Sequence, residues 1–505
     1  MNPTSARDLS VGELSCEALV IGSGAGGAVA AAKLAEAGIS VLVVEEGPYV
    51  KPAEYAAMRP SQSMGALWRD GGMTIAWPKG KSPLINVTMG KCVGGSSVLT
   101  GGVCLRPPAA VHREWVEQHH LPELAQELMG PYFEEVEEAI HVETVPIDMR
   151  SAGASRFIAG AERLGIKMES LTRNTTGCQG CGRCNFGCPK QAKLSVDVTY
   201  LPRACAKGAR IVSDLRVDRV IIEGGSARGA IARMVLPDGK LGKTIHIQAD
   251  RVVMAAGSFH SPAILGRSGV RSKHLGRNLS LHPSFRMSGM FDEPVESWKG
   301  ALQAAYSTHF EEELITLVGV FVPPAVVCAT LPGFGAEHAD RTAKLPYVGM
   351  FGGLIHDSAG GRVRRGLTRE PVMTYRMSSP DRMAIYKALK IMAQVFVAGG
   401  ATEVLLPVLG LDPLPADTVD SFPYESIPPI RLECTSQHPL GTCRMGSDPN
   451  NSVVDERGAV WNISRLHVAD GSTMPTSLGV NPQLTIMTMA TRIAECITAA
   501  HRTGS

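Results

Sequence analysis

Neither sign of charge dominates this sequence: 50 Lys and Arg stand against 48 Asp and Glu, a formal net charge of +2. It has no basic tail and no Lys/Arg run with interleaved aromatics, which speaks against a nucleic-acid partner. The first 15 residues lack the apolar core of a signal peptide and contain no twin Arg. A cytoplasmic location is therefore expected, with periplasmic export beside a partner subunit as the alternative. No unbroken apolar run is long enough for a transmembrane segment. The most apolar stretch, Leu314 to Leu331, is interrupted by Pro323-Pro324. It reads as two buried strands with a turn, or else as a greasy substrate channel or a flap making peripheral membrane contact. Repeats and low-complexity segments are absent too. A secreted disulfide scaffold is not indicated, because four of the 12 Cys fall between positions 178 and 188 and the rest are scattered; a reducing compartment fits that usage better.

Glycine, by contrast, is abundant. Gly is 54 of 505 residues, above the usual ~7%, and many tight turns and close backbone approaches follow. The length asks for two or three layered units. The chain opens as strand (Glu17 to Ile21), glycine-rich turn, alanine-rich helix (Ala28 to Ala37) and second strand (Ile39 to Val44). Gly22, Gly24 and Gly27 complete a G-x-G-x-x-G pattern at the turn. Such glycines allow the turn, the approach of a pyrophosphate and close helix–strand packing, while the helix N-terminus offers N–H groups to phosphate. Glu45 ends the second strand, where a carboxylate can bind ribose hydroxyls and repel a 2′-phosphate. This much implies a dinucleotide but does not separate FAD from NAD. Further strands are expected at Ile211 to Ile222, Ile245 to Ala256 and Leu466 to Ala469, and helices at Asp381 to Ala398 and Leu484 to Ala499.

The run Cys178-x-x-Cys181-x-x-Cys184-x-x-x-Cys188-Pro189 has the spacing of a bacterial ferredoxin loop. Glycines at 177, 180, 182 and 187 would let it wrap a cluster. An Fe-S cluster (4Fe-4S or 3Fe-4S), a zinc site and a metal-free thiol loop all remain open readings. The single run leaves no second cluster for its fourth Cys to serve.

Three longer motifs separate FAD from NAD by resemblance. Gly90-Lys-Cys-Val-Gly94-Gly95-Ser96-Ser97 resembles the FAD loop of the glucose-methanol-choline oxidoreductases. Gly257-Ser-Phe-His-Ser-Pro through Ser268-Gly269 is similar to that family's second signature, and Gly276-Arg-Asn278 through His282-Pro283 to a short motif after it. His438-Pro-Leu-Gly441-Thr442, Asp470-Gly471-Ser472 and Asn481-Pro482-Gln-Leu-Thr485 are similar to its C-terminal active-site segment.

The resemblance implies an α/β fold. A Rossmann-like FAD-binding domain is built from the discontinuous segments 14–110, 192–284 and 431–505. An α+β substrate-binding domain with an antiparallel sheet, 111–191 and 285–430, is inserted between them, its Cys-rich loop at 174–191. It also implies that Gly94, Gly95 and Ser97 line the flavin, that Val217 holds adenine through its backbone, and that Asp470 and Gly471 meet the pyrophosphate region. His438 and Asn481 match the family's active-site pair. A histidine is suited to accept an alcohol's proton near neutrality, and Asn481 to hold the oxygen as charge develops. Thr100 stands where the family often has Asn. No His lies between Gly94 and Val103 to tether the flavin, so FAD is expected to be dissociable. The expected reaction is oxidation of a primary or secondary alcohol, with electrons leaving through the cluster to a quinone, cytochrome or carrier protein. An oxygen-using oxidase without a cluster and a non-redox flavin lyase are the alternatives.

Overall fold

The computed structural model describes residues 1–366 and 368–502. Strands Glu13–Ile21 and Val41–Val44 run parallel, with Ala18 opposite Val41, because the helix Ala25–Glu36 carries the chain back between them. The four residues Ala18 to Ile21 and all of Val41–Val44 are buried, as strands covered on both faces must be. Alanines let this helix approach closely, and it packs on the C-terminal helix Gln483–Arg502. The parallel sheet runs Thr4–Ser5, Arg210–Ser213, Val41–Val44, Glu13–Ile21, Leu241–Met254, with Leu466–Val468 on the end of the last strand. The first half of Leu241–Met254 pairs instead with an antiparallel hairpin, Leu215–Glu223 and Ser226–Val235.

The run expected at Ile211 to Ile222 is therefore two strands. Asp214 breaks it: its φ is 55°, and its carboxylate accepts hydrogen bonds from Ser5 Oγ (2.7 Å) and Arg7 Nη2 (2.8 Å). The apolar stretch after Leu314 also differs from expectation. Ile315–Gly319 is a buried strand, but Pro324–Thr330 is a helix. Pro324 at its first position presets φ for a helix and wastes no N–H there.

The second sheet is mixed and has twelve strands. At its centre Cys434–Ser436, Ser284–Met290, Val348–Ile355 and Ile315–Gly319 lie side by side. Helices Ser379–Ala398 and Ala152–Arg163 cover one face, where Phe157 stacks on Phe351 at 4.0 Å and meets Phe396 edge-on at 4.8 Å. The opposite face looks towards the parallel sheet. Ile75–Pro78, Ile85–Val87 and Cys434–Ser436 fall in spans expected for the dinucleotide unit, yet they pair into this second sheet. Conversely, helices Ala109–Glu117 and Gln126–Ala139 bury Trp115 and Phe133 against the dinucleotide core. No helix among the described residues is long and apolar enough to cross a membrane.

Candidate active site

A cavity of about 500 Å³ runs between the two sheets. At one end the strand Glu13–Ile21 delivers the chain to Gly22, whose φ is 103°. A Cβ on Gly22 would lie 2.3 Å from Ala255 O, and one on Gly27 would lie 2.0 Å from Gly22 O. These two glycines are required by the fold itself. Gly24 is different: a Cβ there would meet only Gly95 Cα, at 3.9 Å. Its missing side chain leaves space in the cavity. Gly95, with φ 54°, in turn sits so close that its own Cβ would be 2.8 Å from Gly24 Cα. The two glycine loops thus touch backbone to backbone.

Glu45 lines the same end and is 8% exposed. It accepts from Ser23 N (3.0 Å), Ser23 Oγ (2.7 Å) and Gly47 N (2.9 Å), and Ser23 Oγ accepts from Gly94 N (3.0 Å). Burial raises its carboxyl pKa, and the Gly47 and Ser23 bonds oppose that rise. Val217 also lines this end. So does a charged cluster the sequence did not disclose. Arg69 holds Glu46 at 2.7 Å, Arg216 holds Glu370 at 2.6 Å, and His260 Nε2 is 3.3 Å from Glu370. Burial alone would raise the Glu46 carboxyl, but Arg69, His260 and Arg216 together hold it well below the carboxylate range.

Towards the middle, Ser97 Oγ donates to Gly94 O at 2.7 Å and Thr100 Oγ1 donates to Gln483 Oε1 at 2.8 Å. Gln483 was not singled out from the sequence; it extends the Thr100 position across the cavity. Asp470 works as a clamp. One carboxylate oxygen accepts from Gly257 N (2.8 Å) and Ser261 Oγ (2.5 Å), the other from Ser472 N (2.8 Å) and Oγ (2.5 Å). It thereby joins the start of helix Gly257–Arg267 to the turn at Gly471, and both Asp470 and Gly471 line the cavity.

The structure brings His438 and Asn481 together at the cavity wall: Asn481 Nδ2 is 3.2 Å from His438 Nε2, and Asn481 Oδ1 is buried without a partner. Behind them stands His282, fully buried, its Nδ1 3.3 Å from His438 Nδ1. The Leu478 N–H donates to His282 Nε2 at 2.9 Å. A nitrogen that accepts carries no proton, so the single proton of neutral His282 sits on Nδ1 and faces His438. Burial pushes His282 down to about 3 and, with His282 beside it, holds His438 well below the ordinary histidine value. Both rings are neutral at pH 7. Sequence alone placed His282 in a motif without a role. Beyond this pair the cavity becomes apolar, walled by Leu302, Val318, Val320, Val322 and Leu354.

All four loop cysteines, Cys178, Cys181, Cys184 and Cys188, line one small pocket with Arg173 and Lys193. Arg173 is 1% exposed and Lys193 2%. Arg173 donates to Cys184 Sγ (3.0 Å) and Gly101 O (2.8 Å). Lys193 donates to Val98 O (2.7 Å), Thr100 O (2.8 Å) and Cys184 O (2.9 Å). Two buried cations therefore tie the cysteine loop to the Gly94–Thr100 loop. Burial lowers Lys193 to about 8. Among the described residues, however, no three His, Cys, Asp or Glu side chains are placed to hold a metal ion. The cage expected for an Fe-S cluster or zinc is not assembled; the loop is a pocket of free thiols.

Two models of the GMC oxidoreductase family match the chain, over residues 16–284 and 359–490. An uncharacterized GMC-type oxidoreductase of Mycobacterium tuberculosis is 35% identical over 481 residues, covering 95% of this chain and 75% of that protein. A long-chain-alcohol oxidase of Arabidopsis thaliana is 29% identical over 514 residues, covering 95% of this chain and 67% of that one. Pyridoxine 4-oxidase from Mesorbium loti superposes with a TM-score of 0.73 at 20% identity, over 95% of this chain and 99% of that one.

Proposed function

The chain belongs to the GMC oxidoreductase family, and from that premise we propose that it oxidises an alcohol to an aldehyde or ketone with FAD as its cofactor. The observation that carries this is the meeting of His438 and Asn481 in the same cavity as the Gly24–Glu45 cradle. The cradle fits FAD: Gly24 leaves open space that a phosphate can use, Glu45 lines the same end with a carboxylate suited to ribose hydroxyls, and the same cavity reaches His438. Bound FAD supplies the acceptor for the hydride.

The residues handle the oxygen. With Nδ1 of His438 accepting from His282, the neutral ring carries its own proton on Nε2, and the Asn481 amide 3.2 Å away must then turn Oδ1, not Nδ2, towards it. In that arrangement the ring meets the substrate oxygen first as a donor, beside the Asn481 amide, and supports charge as it develops. Accepting the hydroxyl proton at Nε2, the base role expected from sequence, requires the histidine pair to change tautomer first. The apolar wall beyond favours a substrate with a hydrocarbon body. For re-oxidation we take molecular oxygen as the acceptor. The thiol loop presents no assembled metal cage among the described residues, and two of the three named relatives are oxidases. The dehydrogenase with a cluster is the second reading; the buried Arg173 and Lys193 beside four thiols would suit an anionic centre.

Adding a medium-chain alcohol without oxygen should bleach the flavin absorbance, and admitting air should restore it with peroxide formed. An unbleached flavin across a panel of alcohols would refute alcohol oxidation and favour the lyase. Iron in purified protein, with no oxygen uptake on an electrode, would overturn the oxidase assignment.

A further inference from the structure

The face of the second sheet that roofs the cavity carries a polar row. Asn86 pairs with Thr435, and Thr435 with Ser284, so the three stand level on adjacent strands. One pleat further along Ser284–Met290, on the same face, is Arg286. All four line the cavity. Ser284 and Thr435 satisfy each other, with Ser284 Oγ donating to Thr435 O at 2.8 Å. The other two are not satisfied. Among the described residues the Asn86 amide has no hydrogen-bond partner, and its Oδ1 is buried. Arg286 makes no hydrogen bond, and no carboxylate lies within 4.0 Å of it among the described residues. Burial lowers its pKa, and Glu433, just before the neighbouring strand, opposes that only at longer range. Arg286 is half-buried and lines the cavity beside this polar row, so its guanidinium is free to pair with an anion that enters there.

We infer that the substrate is an amphipathic alcohol with a carboxylate at its far end, and that Arg286 pairs with that carboxylate. Direction along the strands supports this. Residues 435 to 438 run antiparallel to 284–290, so His438 lies on the His282 side and Arg286 on the other. The strand begins at Ser284, beyond the positive-φ turn at His282, and Arg286 lies roughly 7 Å further along it than Ser284. A hydroxyl at the histidines and an anion at Arg286 thus fix the two ends of a hydrocarbon chain laid along the apolar wall. The Asn86 amide, turned to present Nδ2, supplies a second donor. The carboxylate takes no part in the chemistry: the hydroxyl end alone loses hydride and proton. The inference borrows from the alcohol-oxidation reading only for that hydroxyl end.

The test is therefore a binding measurement first. FAD-loaded protein is titrated with octanoate and with octanamide, neither of which carries a hydroxyl to oxidise, following the flavin absorbance, in wild type, Arg286→Met and Arg286→Lys. Wild type should bind octanoate at least tenfold more tightly than octanamide. That advantage should vanish in Arg286→Met and return in part in Arg286→Lys. Equal binding in wild type, or an octanoate preference that survives Arg286→Met, overturns the inference. A kinetic arm compares kcat/KM for ω-hydroxyoctanoate and octanol, whose ratio should fall towards unity in Arg286→Met. Should octanoate bind through Arg286 while neither alcohol bleaches the flavin, the anion site stands and alcohol oxidation falls.

Discussion

His438 shows how much one residue's identity conveys and where it stops. Its place in a motif marked it for the reacting oxygen, and Asn481 with it, and the two do meet at 3.2 Å. His438→Ala should keep FAD but slow flavin reduction by about 10²–10⁴-fold, the usual worth of positioned proton handling; stopped-flow bleaching at wild-type rate would remove His438 from the mechanism. What the motif did not convey was the ring's protonation. That depends on His282, 156 positions away in sequence, and on the Leu478 N–H behind it. Arg286 was equally hidden, because an arginine in a strand pattern carries no sign that it lacks a partner.

The pH dependence follows from burial of the two rings. Both have native pKa values depressed below the ~6.5 of an exposed histidine. Protonation of His438 is thus confined to pH well below 6.5, and kcat/KM should stay flat from neutral into mildly acid pH. For stability the sign is the following. Below about 6.5 the unfolded chain takes up protons that native His282 refuses until near 3. Stability is then complete above about 6.5 and declines below it, by about 1.4 kcal/mol per pH unit for each such ring. Thermal melts from pH 8 to 5 in which stability rose on acidification would contradict the buried neutral pair.

At the scale of elements, the opening crossover was legible because three local signals agree: a buried strand, positive-φ glycine and an alanine helix. The glycines nevertheless serve different ends, which only packing reveals. Gly24 has φ −70° and open space at its Cβ, whereas a Cβ on Gly26 would sit 2.0 Å from Ala469 O. Gly24→Val should therefore fold, with an apoprotein melting temperature close to wild type, yet purify without flavin. Gly26→Val should fail to fold, since backbone cannot give way by an ångström. A yellow Gly24→Val protein with a full ratio of flavin to protein absorbance would show that the phosphates lie elsewhere. The helix Pro324–Thr330 differs from the expected strand because six apolar residues and a threonine do not reveal a period; Pro324 at its first turn is the available clue.

Over the whole molecule, the order of motifs was readable, and the partition was read less well. The second sheet recruits short strands from 75–87 and 434–436 that carry too few residues to show alternation. What joins the two sheets is a buried group that no local pattern announces. Asp357, 3% exposed, accepts from Ser280 Oγ (2.6 Å), Leu281 N (3.2 Å), His282 N (3.1 Å), Tyr375 OH (2.6 Å) and Ser477 Oγ (3.2 Å). These donors come from three distant stretches of chain: the lead into strand Ser284–Met290, the strand Val372–Tyr375 and the loop before Asn481. One carboxylate thus sets His282 against the segment bearing Asn481. Asp357→Ala orphans several buried donors, each costing about 1–3 kcal/mol, so the holoenzyme should melt several degrees lower. The same change loosens the backbone of His282, and flavin reduction should slow more than FAD affinity falls, because the Gly24–Glu45 end is held by other bonds. Melting temperature, FAD dissociation constant and anaerobic reduction rate, measured together on Asp357→Ala and Asp357→Asn, separate the two effects. An Asp357→Ala protein that melts with wild type and reduces its flavin as fast would mean that the histidine pair is positioned from the parallel sheet alone.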